Sequence, residues 1–198
     1  MVAPNLCHMT PGITADLHRY LQQCRESLLG SLDGLSEYDI RRPMTPSATN
    51  LLGLVKHVAS VELGYLGDCV GRPAPMTLPW NEDGSVWDGA DMWAKADETR
   101  EYLTDLYRHV WQHSDESLEQ LPLDAPASVP WWREGHRETT FGSLVVRVVA
   151  ETAQHAGHAD IIRETIDGKL GPNASASGDE QWWSNYVKQV QEAADQHR

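Results

Sequence analysis

The sequence predicts an all-α fold, a bundle of four sizeable helices with a further short helix at the C-terminus. Three observations carry that prediction. Apolar residues recur at three- and four-residue steps in four long stretches. No strong two-residue alternation marks a strand. Glycine and proline clusters punctuate the chain where one helical pattern stops and the next begins.

The first helix is expected over residues 13–32, where Leu17, Tyr20, Leu21, Cys24, Leu28 and Leu32 make one face and Thr14 is a candidate cap. Gly34 stops it, and a short turn at 36–40 precedes the breaks at Pro43 and Pro46. The second spans about 49–69, capped by Thr49 or Asn50, with Leu51, Leu54, Val55, Val58, Val61, Leu63 and Leu66 forming a broad apolar face. Gly71 and Pro73 end it. Residues 71–89 hold three prolines with Trp80 and Trp87, and read as a long irregular connection of the kind that often carries function. The third helix is expected over 89–113, with Met92, Trp93, Ala96, Thr99, Leu103, Leu106, Val110 and Trp111 as its stripe. Residues 119–137, with Trp131 and Trp132, are again irregular. The fourth helix runs over about 139–166 and stops at Gly168. A linker at 172–178, rich in Ser and Ala, leads to a final helix over 179–197, whose apolar side is Trp182, Trp183, Tyr186, Val187 and Val190. Four helices in roughly 170 residues make a bundle, and its two long connections free it from simple up-down-up-down order.

Composition narrows the function. The chain has 198 residues, enough for one domain or one domain with an appendage. Its 29 acidic against 16 basic residues give a net charge of −13, which repels phosphate backbones and argues against nucleic acid as a partner. No stretch approaches the ~20 apolar residues of a membrane span, and no signal-peptide pattern opens the chain, so a soluble cytoplasmic protein is expected. Cys7, Cys24 and Cys69 are odd in number and widely spaced, which fits a reducing compartment. Eight tryptophans against one phenylalanine suggest a lined cleft or contact surface as well as a core.

The chemistry concentrates in the fourth helix. Phe141, Leu144, Val148, Glu151, His155, His158 and Ile162 recur on one face. Glu151 and His155 are thus one turn apart on the stripe that Leu144 and Val148 drive into the core, where an unpaired carboxylate and imidazole would be costly. A divalent metal satisfies both. His57, between Leu54 and Val61 on the bundle-facing side of helix two, supplies a third ligand. Three protein ligands leave positions open for water or substrate, the pattern of a catalytic site. Zinc is the default for this nitrogen and oxygen set, with nickel, iron and manganese as alternatives. Two other readings stand beside it. Glu151 and His155 form a hydrogen-bonded pair with His57 a core residue, or His57, His155 and His158 are the ligands, with His158 otherwise orienting a ligand from behind.

These residues carry a family resemblance. The stretch from Leu32 through Arg41-Arg42-Pro43, then Ser47 to His57, then Glu151-Thr-Ala-Gln-His155-Ala-Gly-His158-Ala-Asp160-Ile-Ile-Arg163-Glu164 with Asp167-Gly168, resembles the DinB-like superfamily. Within it, the similarity is to the actinobacterial branch related to mycothiol-dependent maleylpyruvate isomerase and the thiol S-transferases. The resemblance covers about residues 13–168. It implies a four-helix bundle of up-down-down-up topology over residues 1–170, holding a divalent metal, commonly zinc or nickel. By the His, Glu, His pattern of the isomerase branch, the ligands fall on His57, Glu151 and His155. This chain departs from three-histidine members at Glu151, and carries His158 where others often have Gln.

The resemblance further implies a metal-dependent enzyme in which a low-molecular-weight thiol of mycothiol type is activated for S-transfer to a small electrophile. The thiolate is the nucleophile, so metal binding raises its population. A metal-dependent isomerase or hydrolase, and a non-catalytic metal- or small-molecule-binding protein of the stress response, are the alternatives. Glu62 and Asp160 are candidate bases or orienting residues, and Trp80, Trp87, Trp131 and Trp132 either wall a pocket above the metal or plug the bundle ends. Arg147 and Arg163, with Arg137, are candidate anion anchors, although Asp160 and Arg163 are spaced to pair with each other. Residues 171–198 lie beyond the resemblance and are expected to pack on the bundle or on the second copy of a homodimer.

Overall fold

Five long helices and two short ones follow one another along the described residues of the computed structural model, which are 12–171 and 178–198. In order they are α1 (Ile13–Gly30), α2 (Glu37–Arg41), α3 (Leu51–Leu66), α4 (Pro79–Glu82), α5 (Arg100–Gln120), α6 (Phe141–Asp167) and α7 (Glu180–Asp195). Short 3-10 turns occupy Asp68–Val70 and Ser85–Asp88, and β1 (Pro126–Ser128) pairs antiparallel with β2 (Glu138–Thr140). Cys7 and most of the expected linker lie outside the described residues. No described helix is long and apolar enough to cross a membrane.

The bundle is built from α1, α3, α5 and α6. Helix α3 lies between α5 and α6, and α1 packs chiefly on α6. Helix α3 is buried almost all round, as expected for the central element of a bundle. Asn50 caps it, its side chain accepting from Gly53 N at 2.8 Å. At the far end of the fold Gly168 adopts φ 75°, a left-handed conformation that stops α6 where the sequence places the stop.

The apolar core falls into two clusters. One gathers Leu28, Leu51, Leu54, Val58, Leu103, Tyr107, Val110 and Ile162, with Trp80. The other gathers Leu21, Tyr65, Leu66, Phe141, Leu144 and Val148. Between them α1, α3 and α6 contribute polar residues. Arg25 lies between Leu21 and Leu28 on α1, Glu62 between Val58 and Tyr65 on α3, and Glu151, Thr152 and His155 follow Val148 on α6. The bundle therefore has a polar waist at mid-height, and the candidate site lies along it.

Two segments depart from the sequence expectation. The third long helix starts after Thr99, which caps it by accepting from Tyr102 N at 3.0 Å, and it runs on to Gln120. Residues 89–99 are irregular because distant side chains take their carbonyls. Asn50 donates to Met92 O, Lys56 to Trp93 O, and Arg41 to Lys95 O and Glu98 O. The β1–β2 ribbon was not expected, since three-residue strands are too short to show an alternation. Helix α7 forms near its expected place, capped by Asp179, and buries none of its residues. Trp182 stacks on Tyr186 with ring centroids 5.1 Å apart.

Candidate metal centre

The ribbon sets the start of α6. Phe141 N donates to Ala125 O and Gly142 N to Leu123 O, each at 2.8 Å, and Thr140 caps the helix by accepting from Ser143 N. From that anchored end, Leu144 and Val148 are fully buried, and burial of such side chains contributes ~1.5–3 kcal/mol each. The helical period then brings Glu151 and His155 to the same side, facing His57 on α3.

His57 Nε2 lies 3.6 Å from Glu151 Oε1, and His155 Nε2 lies 3.3 Å from the same oxygen. The imidazole rings meet edge to face, with centroids 4.9 Å apart. One ligand atom from each of the three residues lies within 4.8 Å of the other two. Four ligands held tetrahedrally at ~2.0–2.1 Å from a zinc ion would be about 3.4 Å from one another, so the two nitrogen–oxygen separations match a tetrahedral edge. The side chains are 19%, 27% and 12% exposed, dry enough to favour ligation and open enough for a further ligand to enter. The donor set fits a divalent ion.

Asp91 completes the arrangement. Its carboxylate is buried and lies 2.6 Å from His57 Nδ1. A carboxylate there accepts a hydrogen bond from Nδ1–H and leaves the Nε2 lone pair facing Glu151, the partnership that orients a metal-ligating histidine. Burial acts to lower the His57 pKa, but Asp91 and Glu151 together outweigh it, and the net shift is upward. At His155 burial and the His57 charge lower the pKa against the pull of Glu151. The loop carrying Asp91 is held tightly to α3. A Cβ on Gly53 would lie 1.9 Å from Met92 O, so only glycine lets the loop approach. Asp91 was not singled out by the sequence, because the pattern around it reads as helix and its partner is 34 residues away.

The other sequence candidates fall in different places. His158 is exposed, one turn beyond His155, with ring centroids 5.4 Å apart. Glu62 is fully buried and paired with Arg25, which also donates to Asp115. Asp160 lines a separate cavity of about 500 Å³ with Arg163 and Lys169, and burial raises its carboxyl pKa. Arg163 is bonded to Asp167 and to Ser31 O. Arg147 is exposed, its guanidinium 5.0 Å from the Tyr65 ring centre and 5.5 Å from that of Trp132, and Arg137 donates to Trp132 O.

The four connection tryptophans divide by environment. Trp80 is core, donating to Ser60 Oγ at 2.7 Å beneath the Lys56 ammonium. Trp132 packs against the cluster of Leu21, Tyr65 and Phe141 and donates to Tyr65 Oη, as Trp131 also does. Trp87 and Trp131 line a cavity of about 590 Å³ that opens beside His57 and Asp91. Tyr65, Asp68, Asn81 and Met92 line it too, none of them marked as a site residue by the sequence.

The fold has a solved counterpart. A conserved protein from Enterococcus faecalis aligns with a TM-score of 0.62 at 14% identity, covering 81% of this chain and all of its own. That likeness establishes the architecture alone. No curated protein matches the chain. The family model described as mycothiol-S-transferase matches residues 16–168, which span α1 through α6 and include all three converging side chains. The chain belongs to the mycothiol-S-transferase family.

Proposed function

We propose that the protein binds a divalent metal through His57, Glu151 and His155, and joins a mycothiol-type thiol, through its sulfur, to a small electrophile. The observation that carries this reading is the convergence of two imidazole nitrogens on one Glu151 oxygen at 3.3 and 3.6 Å. With the imidazoles neutral and their protons on Nδ1, the form that Asp91 favours at His57, all three atoms are electron-pair donors that a cation satisfies together. The family match supports the thiol as co-substrate. Zinc suits the ligand set.

A metal bound there supplies the positive charge that lowers the pKa of a coordinated thiol. The chain's own residues do the rest. Asp91 fixes the His57 tautomer and ring angle. Glu151 contributes one negative charge, leaving the bound ion a net positive charge to act on sulfur. Tyr65, Trp87 and Trp131 line one side of the approach to the reacting centre. No cysteine is required: burial raises the thiol pKa of both Cys24 and Cys69, that of Cys69 to about 12. The thiol proton leaves to solvent as the S–C bond forms and the electrophile loses its leaving group or adds a proton.

The test combines metal analysis of protein purified without a histidine tag and a conjugation assay with mycothiol and a panel of alkylating electrophiles. One bound divalent ion per chain and metal-dependent thiol consumption are expected. Absence of any ion overturns the site. A bound ion with no thiol consumption overturns the transferase role and leaves metal binding standing.

A further inference from the structure

The loop that delivers Asp91 is tied to α3 at several points, and Lys56 makes the strongest tie. Its Nζ donates to Glu98 Oε1 at 2.9 Å, to Glu98 Oε2 at 2.8 Å and to Trp93 O at 3.1 Å, so all three ammonium protons have acceptors. The Trp80 ring centre lies 4.2 Å from the same nitrogen. Glu98 Oε2 also accepts from Lys95 N at 2.7 Å, and Glu98 N donates to Lys95 O, which closes residues 95–98 into a turn. The Lys56 side chain is 0% exposed and that of Glu98 13%. A pair at this depth tolerates little displacement, because a shifted partner strands a charge out of water. Lys56 and His57 are consecutive on α3. One holds Trp93 and Glu98 and the other holds Asp91, so adjacent residues grip the loop on both sides of Met92.

We propose that Lys56 and Glu98, on the reading of the triad as a metal site, are positioning residues for the metal: their ion pair fixes the loop so that the Asp91 carboxylate meets His57 Nδ1. Lys56 Nζ bonds to the loop and not to the triad, so its effect on the metal passes through Asp91. Charge alone would act with the opposite sign. Removing a nearby cation favours a bound cation, so an ion held more weakly without Lys56 reports position and not Coulomb attraction.

The test is a double-mutant cycle on zinc affinity, measured by competition with a chromophoric chelator. Lys56→Met combined with Glu98→Gln removes both charges with little change of shape, so neither is left stranded. The pair of substitutions should weaken zinc about tenfold with Asp91 present, the lower end for disturbing a carboxylate behind a ligating histidine. In an Asp91→Ala background it should weaken zinc by about twofold or less. Equal weakening in both backgrounds is the mark of a merely loosened bundle and would overturn the proposal, as would an unchanged affinity with Asp91 present. Glu98→Gln alone, which keeps an acceptor for Lys56, is a milder arm of the same cycle, and a smaller loss confined to the Asp91 background is expected. Nuclear magnetic resonance reads the same geometry in metal-free protein. The His57 Nδ1–H signal, held downfield by the Asp91 carboxylate, should move upfield when Lys56 and Glu98 are replaced. An unmoved signal overturns the proposal, whereas a parent protein that binds no zinc overturns the metal reading and leaves this signal to decide the role of Lys56.

Discussion

Replacing Glu62 with glutamine separates two roles, a base near the histidines or a strut inside the bundle. Glu62 and Arg25 are each 0% exposed. Arg25 Nε donates to one Glu62 oxygen at 3.2 Å and Nη2 to the other, while Nη1 donates to Asp115 Oδ1 at 2.7 Å. Removing one partner of a buried pair costs ~3–5 kcal/mol, because the remaining charge is stranded in a low dielectric. Glutamine keeps the volume of glutamate, so no cavity adds to that cost. Asp115 stays as a second, 30% exposed partner and places the loss near the lower end, about 3 kcal/mol. For a domain of this size each kcal/mol lowers Tm by ~2–4 °C, so Glu62→Gln should lower Tm by roughly 6–12 °C. Thermal unfolding followed by far-UV circular dichroism reads the first quantity, and metal content of the folded variant reads the second. A strut predicts a large Tm loss with metal retained. An unchanged Tm with metal binding or thiol conjugation abolished would refute the reasoning.

The remaining predictions concern the triad. Asp91→Ala should weaken metal binding about 10–100-fold, the usual effect of losing a carboxylate behind a ligating histidine. Competition with a chromophoric chelator measures it, and an unchanged affinity would remove Asp91 from the site. Gly53→Ala forces a methyl group into Met92 O and should destabilise the fold by ~1–3 kcal/mol in urea denaturation. The same variant should weaken metal binding, since the displaced loop carries Asp91. Metal affinity should fall as the pH drops through the raised His57 pKa, beginning above the ordinary histidine value of ~6.5. In metal-free protein the sign is opposite for stability. A histidine raised by its partners stabilises fully below its unfolded pKa, and that contribution is lost as pH rises through the folded value. His155, whose pKa is lowered, contributes with the opposite sign, so the check compares Tm of the metal-free protein with that of its His57→Gln variant across roughly pH 5 to 8, and a stability advantage of the parent that grows as pH rises would contradict the direction.

Much of the scaffold was legible because it depends on local periodicity. The stripe through Leu144, Val148, Glu151 and His155 is helical spacing read directly from residue order, and that spacing already places two ligands one turn apart. The Asn50 cap and the Gly168 stop are likewise local: each needs only the side chain, or its absence, at one position. His57 was legible as the polar member of an otherwise apolar face, and the family resemblance linked it to α6.

The rest depends on partners distant in sequence. Residues 89–99 carry a helical apolar pattern, yet their carbonyls accept from Arg41, Asn50 and Lys56, so the segment becomes the loop that delivers Asp91. Glu62 reads as an available carboxylate until Arg25, 37 residues earlier, is found beside it. The tryptophans look equivalent along the chain, but Trp80 meets Ser60 in the core whereas Trp87 and Trp131 face the cavity. The sequence by itself determined which residues share a helix face, because that follows from a fixed 3.6-residue period. Only the tertiary structure decided which buried charge is neutralised by which partner and which aromatic faces solvent, because those outcomes depend on packing between elements far apart along the chain.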